Sequence, residues 1–155
     1  MSQFNEYSSI KQVAVRHSKD AFVSQEKLSA EWSPLRFHSM PLIDQSNDEF
    51  DLFRQILCDS GAEIIDLPPA DSLTIDSIYP RDNILVSPKG LILCNMGRAT
   101  RTPEAEVNMS VYKSLGYTVA GEIISPGTLE GGDFIWLDNN HCLLYTSPSP
   151  RDYTR

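Results

Sequence analysis

The chain of 155 residues alternates short apolar runs, typical of strands, with two longer stretches whose apolar positions follow helical spacing. The first helical stretch begins near Ser46 or Asn47, either of which can cap a helix, and Gly61 is expected to end it. Its apolar face is predicted to consist of Phe50, Phe53 and Leu57. Before it, residues 12–16 predict a strand, and the proline-containing stretch from Glu31 to Asp44 predicts irregular structure.

The second helical stretch carries clear boundary signals. Thr102 can serve as its cap and Pro103 as its first residue, and Gly116 is expected to end it. Its predicted apolar face consists of Val107, Val111 and Leu115.

The remaining apolar runs predict strands at residues 62–67, 84–86, 91–94, 117–120 and 134–137. The turn Ser87-Pro88-Lys89-Gly90 places Pro and Gly where a type I turn favours them, so the strands that flank it predict a hairpin. Each helix is followed by a glycine, a strand, an acidic loop and the start of a hairpin. This order occurs twice at a spacing of about 50 residues, which indicates a repeated α/β supersecondary unit.

Length and composition predict about one domain, because 41% hydrophobic residues can build one modest core. The net charge of −8, from 13 basic and 21 acidic residues, opposes nucleic-acid binding and suits a cationic small molecule better. The start of the chain lacks the pattern of a signal peptide, and no apolar run approaches the length of a membrane span. These features predict a soluble, cytoplasmic protein without a membrane partner.

The cysteines and histidines show no arrangement typical of a metal or redox site. The three cysteines are widely spaced without a CxxC pair, so we expect them to be reduced and structural. The histidines are isolated in the sequence and predict surface or hydrogen-bonded roles. No Gly-rich phosphate loop is present, and the sequence predicts no metal and no cofactor. The residues considered are Cys58, Cys94, Cys142, His17, His38 and His141.

Two acidic loops are the strongest candidates for chemistry. Asp82 precedes one predicted strand, and Glu130, followed by Gly131 and Gly132, precedes another. Glycine allows a close approach between backbones, and two convergent carboxylates would match the planar donors of a guanidinium. Such a site would expose the central carbon to a nucleophile above the plane. The alternative for Asp82 is a turn or salt-bridge acid next to Arg81.

Two further residues have a ligand-binding and a structural interpretation. Arg101 could bind a ligand carboxylate, or it could be a solvated arginine or the ion-pair partner of Glu104. Asp76 could orient a ligand amino group, or it could form an Asx turn with Ile78.

The end of the chain does not continue the repeated pattern. Residues 143–152 resemble a translated sequencing-library adapter, so we expect a native domain over residues 1–143 and a non-native tail over residues 144–155. The alternative is a flexible native tail.

Four motifs together resemble the guanidino-group modifying family, which includes dimethylarginine dimethylaminohydrolase, arginine deiminase and the amidinotransferases. They are Leu67-Pro68-Pro69, residues 76–82, residues 101–104 and residues 129–133. The resemblance implies a five-bladed α/β propeller, or pentein, of pseudo-symmetric ββαβ modules, of which this chain would hold about two.

The resemblance also implies a role for each candidate residue. Asp82 and Glu130 would grip the substrate guanidinium, Asp76 would contact its amino-acid end, and Arg101 would bind its α-carboxylate. A cysteine thiolate attacks the guanidinium carbon in this family, and a histidine moves the proton. Both follow in later motifs that this chain lacks, so His141 and Cys142 are not assigned to those roles. The chain is therefore predicted to be an inactive and poorly stable fragment of an arginine-metabolising enzyme.

Three functions remain open. The first is a hydrolase acting on arginine or a methylated arginine, and the second is an amidinotransferase of the same fold, since Arg81-Asp82 resembles deiminases and amidinotransferases. The third is a non-catalytic module that binds arginine-like ligands. In all three the expected partner is a small guanidino compound, and the sequence sets no oligomeric state.

Overall fold

The computed structural model of the protein describes residues 5–145 as a mixed α/β fold. The first part contains β1 (Gln12–Val15), α1 (Ser18–Phe22), α2 (Gln25–Glu31), α3 (Ile43–Asp59) and β2 (Glu63–Asp66). The second part contains β3 (Ile84–Ser87), β4 (Gly90–Leu93), α4 (Glu104–Ser114), β5 (Val119–Glu122), β6 (Phe134–Trp136) and β7 (Cys142–Leu144).

The strands form three small sheets. Strands β1 and β2 pair in parallel, β3, β4 and β5 form a three-stranded sheet in that order, and β6 pairs antiparallel with β7. Within the middle sheet, β3 and β4 form the predicted antiparallel hairpin, whereas β4 and β5 are parallel. A helix connects each parallel pair, since α3 lies between β1 and β2 and α4 between β4 and β5. The repeated order predicted from the sequence is therefore present.

The core is divided into three clusters, and two of them lie on opposite faces of the first hairpin. Successive side chains of a strand point to opposite faces of the sheet. Ile84 accordingly packs against α4 and β2, whereas Leu85 packs towards the second hairpin. The cluster under α4 consists of Leu67, Ile84, Leu91, Met109 and Tyr112, and the cluster towards the second hairpin of Leu85, Cys94, Met96 and Phe134. The first hairpin is thus packed on both faces, although Val86 near its turn is 51% exposed.

Helix α3 begins earlier than predicted. Its N-cap is Leu42, without a side-chain hydrogen bond, and the backbone N–H of Ser46 donates to the Leu42 carbonyl at 2.8 Å. The proposed cap Asn47 lies inside the helix and accepts a hydrogen bond from Ser18 Oγ at 2.7 Å. The helix extends backwards because Ile43 packs on the cluster formed with α1 and α2.

The apolar face predicted for α3 is only partly correct. Leu57 is buried, but Phe53 is 46% exposed. The predicted end is confirmed, because Gly61 follows the helix with a φ of +83°, a conformation that favours glycine.

The predicted start of α4 was wrong, and its predicted apolar face was only partly correct, because Val111 packs on the core cluster but Leu115 does not. Pro103 is its N-cap residue and no side-chain hydrogen bond is made there, so Thr102 does not cap the helix. Leu115 is 54% exposed, and the buried face consists of Glu104, Ala105, Asn108, Met109 and Tyr112. Two polar residues lie on this face because they have buried hydrogen-bond partners, which a hydropathy pattern does not register. Gly116 ends the helix with a φ of +88°, as predicted.

Two short helices were not predicted. His17 caps α1 by accepting a hydrogen bond from the Lys19 N–H at 3.1 Å, and Ser24 caps α2 through the Lys27 N–H at 3.2 Å. Helix α2 reaches Glu31, where irregular structure was predicted to begin. At five and seven residues, these helices are too short for a clear apolar period.

The second hairpin extends slightly beyond the predicted end of the native domain. Leu144 pairs with Phe134, and the Tyr145 N–H donates to the Asp133 carbonyl at 2.9 Å. The boundary predicted between residues 143 and 144 thus falls within β7. Residues 146–155, which contain most of the predicted non-native tail, lie outside the described residues, so that hypothesis stays a prediction.

Within residues 5–145, no helix is long and apolar enough to cross a membrane.

Candidate active site

The two acidic loops predicted from the sequence lie against each other. The Gly131 N–H donates to the Asp82 carbonyl at 2.8 Å. A Cβ atom at Gly131 would overlap the carbonyl oxygen of Arg81, and one at Gly132 would lie 2.9 Å from Asp82 Oδ1. Only glycine permits so close an approach of the two backbones, which explains why two glycines follow Glu130.

Glu130 is half-buried and anchored to the segment that follows β4. Its Oε1 accepts a hydrogen bond from the Gly97 N–H at 3.2 Å, and the neighbouring Leu129 N–H donates to the Asn95 carbonyl at 3.0 Å. A backbone donor therefore positions this carboxylate.

Asp82 is held by a different kind of partner. Its Oδ2 accepts a hydrogen bond from Arg101 Nη1 at 2.8 Å, and its side chain is 24% exposed. The alternative interpretation of Asp82 as a turn residue or salt-bridge acid is also present, since Asp82 lies in a turn and pairs with Arg101. Its sequence neighbour Arg81 is not the partner, because Arg81 Nη2 binds Glu6 at 3.0 Å and the Phe134 carbonyl at 3.1 Å. Asp82 is thus both restrained and partly open to solvent.

Arg101 is buried and surrounded by acceptors from the protein. Its Nε and Nη2 bind the two carboxylate oxygens of Glu104 at 2.8 and 2.9 Å, and Nη2 also donates to the Tyr79 carbonyl at 3.0 Å. Burial opposes the charge, but the hydrogen bonds and charges of Glu104 and Asp82 outweigh it and raise the pKa of Arg101. The ion pair with Glu104, one of the two interpretations of this residue, is present.

A buried polar network continues from Glu104 away from the acidic loops. Asn83 Nδ2 donates to Glu104 Oε2 at 2.9 Å, Asn108 Nδ2 donates to Asn83 Oδ1 at 2.9 Å, and Arg16 Nη2 donates to Asn108 Oδ1 at 2.7 Å. All four of these side chains are fully buried. The sequence analysis considered Glu104 only as a partner of Arg101 and did not identify the other three, although Glu104 and Asn108 stand four residues apart on one helix face.

Arg16 ends this network with incomplete hydrogen bonding. Its Nε and Nη1 atoms have no partner within the described residues. Desolvation lowers the pKa of Arg16, and the negative charges of Glu104 and Asp20 oppose that effect.

Asp76 lies in the short helical turn Ile75–Ile78 and is buried. Its Oδ2 accepts a hydrogen bond from Arg98 Nη1 at 2.5 Å, and the same nitrogen donates to the Leu35 carbonyl at 3.2 Å. Within residues 5–145, the carboxylate of Asp76 makes no hydrogen bond to Ile78, so the predicted Asx turn is absent.

Cys94 lies beside both acidic loops as a protonated thiol. Burial raises its pKa to about 11, and the negative charges of Asp82 and Glu130 add to the shift. The negative charges of both carboxylates thus disfavour ionisation of the same buried thiol. All three cysteines are free thiols, as predicted, but Cys58 and Cys142 are exposed.

Two histidines are hydrogen-bonded, in agreement with the predicted surface or hydrogen-bonded roles. His17 Nε2 lies 3.1 Å from Asp51 Oδ1, and His141 Nδ1 lies 2.8 Å from Asp138 Oδ2. The folded chain brings Asp51 to His17 across 34 positions of sequence, which local spacing could not show. Both partner acids lie outside the two acidic loops.

Residues 5–145 contain no group of three or more His, Cys, Asp or Glu side chains placed to hold a metal ion.

No family model matches this chain, and no curated protein matches it. Solved structures do match. Dimethylarginine dimethylaminohydrolase from Pseudomonas aeruginosa, complexed with citrulline, superposes with a TM-score of 0.66 at 19% identity, over 83% of this chain and 48% of that one. A dimethylarginine dimethylaminohydrolase adduct with 4-chloro-2-hydroxymethylpyridine gives 0.64 at 20% identity, over 83% and 46% of the two chains.

A third solved structure is the product-bound N-terminal domain of ArgZ, an arginine dihydrolase from the ornithine-ammonia cycle in Cyanobacteria. It matches with a TM-score of 0.61 at 14% identity, over 81% of this chain and 44% of that one. This chain therefore spans about half the length of these three solved chains.

The structural neighbours are guanidino-modifying enzymes of the pentein type, so the resemblance predicted from the sequence is confirmed at the level of the fold. The mixed α/β class is confirmed with it. Residues 5–145 do not form a closed barrel.

Proposed function

We propose that this chain forms the guanidinium-binding part of an enzyme that hydrolyses a C–N bond of arginine or a methylated arginine. The observation that carries the proposal is the junction of the two acidic loops, where the Gly131 N–H donates to the Asp82 carbonyl and a Cβ at Gly132 would lie 2.9 Å from Asp82 Oδ1. The fold shared with dimethylarginine dimethylaminohydrolase and ArgZ supports it.

Each candidate carboxylate keeps one oxygen for a ligand. The protein engages Asp82 Oδ2 and Glu130 Oε1, whereas their second oxygens make no hydrogen bond to the described residues. A guanidinium is planar and offers N–H groups along its edges, so two carboxylates can fix both its position and its plane. Its central carbon then stays open to attack from above that plane.

The proposed reaction follows the family resemblance. A cysteine thiolate attacks the guanidinium carbon, the C–N bond to the leaving amine breaks, and a histidine protonates that amine. Water then attacks the same carbon, which releases the ureido product and restores the thiol. We assign neither role within this chain, because Cys94 is held protonated and both paired histidines contact acids outside the loops.

The proposal includes the architecture implied by the resemblance. The described residues would supply about two of five ββαβ modules of a propeller, and the nucleophile and proton carrier would come from later modules. The 155-residue chain should then bind guanidino compounds without hydrolysing them.

Calorimetric titration of the 155-residue chain with arginine tests the proposal. We expect Asp82→Asn and Glu130→Gln each to weaken binding roughly tenfold or more, because each removes a charged acceptor. Glu106→Gln, at an exposed acid on α4, is the matched control and should change nothing. Unchanged affinity in both site variants, or release of citrulline by the 155-residue chain, would contradict the proposal.

A further inference from the structure

The segment that precedes β1 is joined through Glu6 to the first acidic loop and to β6. Glu6 Oε2 accepts a hydrogen bond from Arg81 Nη2 at 3.0 Å, and Glu6 Oε1 accepts one from the Trp136 N–H at 3.4 Å. Arg81 Nη2 also donates to the Phe134 carbonyl at 3.1 Å. Arg81 directly precedes Asp82, and β6 directly follows the second acidic loop. One ion pair therefore connects the surroundings of both candidate carboxylates.

The two backbone groups bound by this ion pair lie on the edge of β6 that faces away from β7. The Leu137 N–H donates to the His141 carbonyl, so the backbone groups of Leu137 face the other strand of the hairpin. Backbone groups of successive residues in a strand point to opposite edges, so those of Phe134 and Trp136 face away from β7. An unpaired strand edge needs donors and acceptors from elsewhere, and here a guanidinium and a carboxylate supply them.

The same region borders the contact between the two acidic loops. The Gly131 N–H donates to the Asp82 carbonyl at 2.8 Å, and Gly131 packs directly on the Arg81 carbonyl, since a Cβ atom there would overlap it. The Arg81 side chain adds a second connection between loops that already touch through their backbones. Two carboxylates can hold a planar guanidinium only if the distance between them is fixed, and each connection restricts that distance.

We propose that Glu6 and Arg81 are positioning residues, which fix the two candidate carboxylates at the separation that a ligand guanidinium requires. This inference rests on the proposed function of Asp82 and Glu130. The side chains of Arg81 and Glu6 are 55% and 28% exposed, so an isolated pair of this kind would contribute little. Their hydrogen bonds to two backbone groups of β6 make the pair part of a network, which holds the loops in place.

The charge of Arg81 separates positioning from a direct electrostatic effect on the ligand. A cation beside Asp82 repels a guanidinium, so removal of that charge alone would strengthen ligand binding. If Arg81 positions the carboxylates, its removal weakens ligand binding instead. The two explanations therefore predict changes of opposite sign for the same variant.

Calorimetric titration of the 155-residue chain with arginine tests the inference. Arg81→Met keeps the length of the side chain and removes its donors, and Glu6→Gln keeps the shape and removes the charge. We expect each variant to weaken arginine binding roughly three- to tenfold. The double variant should weaken it roughly as much as the stronger single variant, because both break the same connection. Arg54→Met is the matched control, because it breaks the exposed ion pair with Asp66 and should leave the affinity unchanged.

A conservative variant guards against a loss of the fold. Circular dichroism should first show that each variant remains folded, and if Arg81→Met does not fold, unchanged affinity in Glu6→Gln overturns the inference. Arg81→Lys keeps the charge and can still pair with Glu6, so its affinity should stay within about threefold of that of the unaltered chain. A loss in Arg81→Lys as large as in Arg81→Met would mean that the ion pair is not the positioning contact.

The outcomes separate this inference from the proposed function. If the unaltered chain binds arginine and Asp82→Asn weakens that binding, but Arg81→Met leaves it unchanged or strengthens it, the inference is wrong and the proposed function stands. Additive losses in the double variant would mean that Glu6 and Arg81 act separately, which would also overturn the inference. If the unaltered chain does not bind arginine, the proposed function fails and this inference fails with it.

Discussion

The two acidic loops each lead into a hairpin, but the two hairpins are packed very differently. In the first, β3 and β4 are covered on one face by α4 and on the other by the cluster that contains Phe134. In the second, Phe134 is buried, whereas Ile135, Leu143 and Leu144 are each more than 40% exposed. Within the described residues, no helix covers the second hairpin as α4 covers the first.

The carboxylates of the two loops also differ in the partners that hold them. Asp82 is held by Arg101, which is itself held by the buried Glu104, whereas Glu130 is held by one backbone N–H from Gly97. A repeated order of elements therefore does not produce repeated packing. Each unit depends on the neighbour that covers it, and a helix face or sheet edge without that neighbour stays exposed.

Among the substitutions that test this comparison, removal of Glu104 should cause the largest loss of stability. Glu104→Ala leaves Arg101 and Asn83 buried without their acceptor, which should lower the free energy of unfolding by about 3 to 5 kcal/mol. Urea denaturation followed by circular dichroism measures the change. Glu106→Ala, at an exposed acid on the same helix, should cost less than about 0.5 kcal/mol. Equal effects of the two variants would mean that the buried network does not support the first loop.

Matched leucine truncations in the two hairpins should give the next largest difference. Leu91 is 3% exposed in β4, so Leu91→Ala should lower the free energy of unfolding by about 2 to 5 kcal/mol. Leu143 is 57% exposed in β7, so Leu143→Ala should cost less than about 0.5 kcal/mol. Thermal or urea denaturation checks both values. A large loss at Leu143 would show that another surface covers the second hairpin in solution.

The thiols of the two hairpin regions should respond differently to alkaline pH. The folded protein holds Cys94 protonated, with its pKa raised from 9.0 to about 11. Its contribution to stability is therefore complete below pH 9.0 and is lost as the pH rises to about 11, amounting to roughly 2 to 3 kcal/mol.

Urea denaturation at pH 8 and pH 11 tests this effect. Cys94→Ala should lose less stability over that interval than the unaltered chain does, because the titrating thiol is gone. Cys142→Ala, at the exposed thiol of β7, should retain the full pH dependence. The buried Tyr112, whose pKa burial raises to about 12, adds a second alkaline loss that both variants share. Identical pH dependence in Cys94→Ala and the unaltered chain would contradict the prediction.

The sequence by itself determined the features that depend on local spacing. Apolar runs and a Pro-Gly turn predicted the first hairpin, and Gly61 and Gly116 marked the ends of the two long helices, because positive φ is accessible chiefly to glycine. The order of helix, strand and acidic loop predicted the repeat. The four motifs predicted the pentein fold of the structural neighbours.

The tertiary structure alone decided how the candidate residues are paired. Arg101 finds Asp82 across 19 positions, and Arg16 finds Asn108 across 92, so no local pattern could reveal either contact. The same limit explains why the face predicted for α4 was only partly correct, since a hydropathy pattern assigns Glu104 to the surface. A charged side chain can be buried only when partners from elsewhere in the chain satisfy it, and only the folded chain brings those partners together.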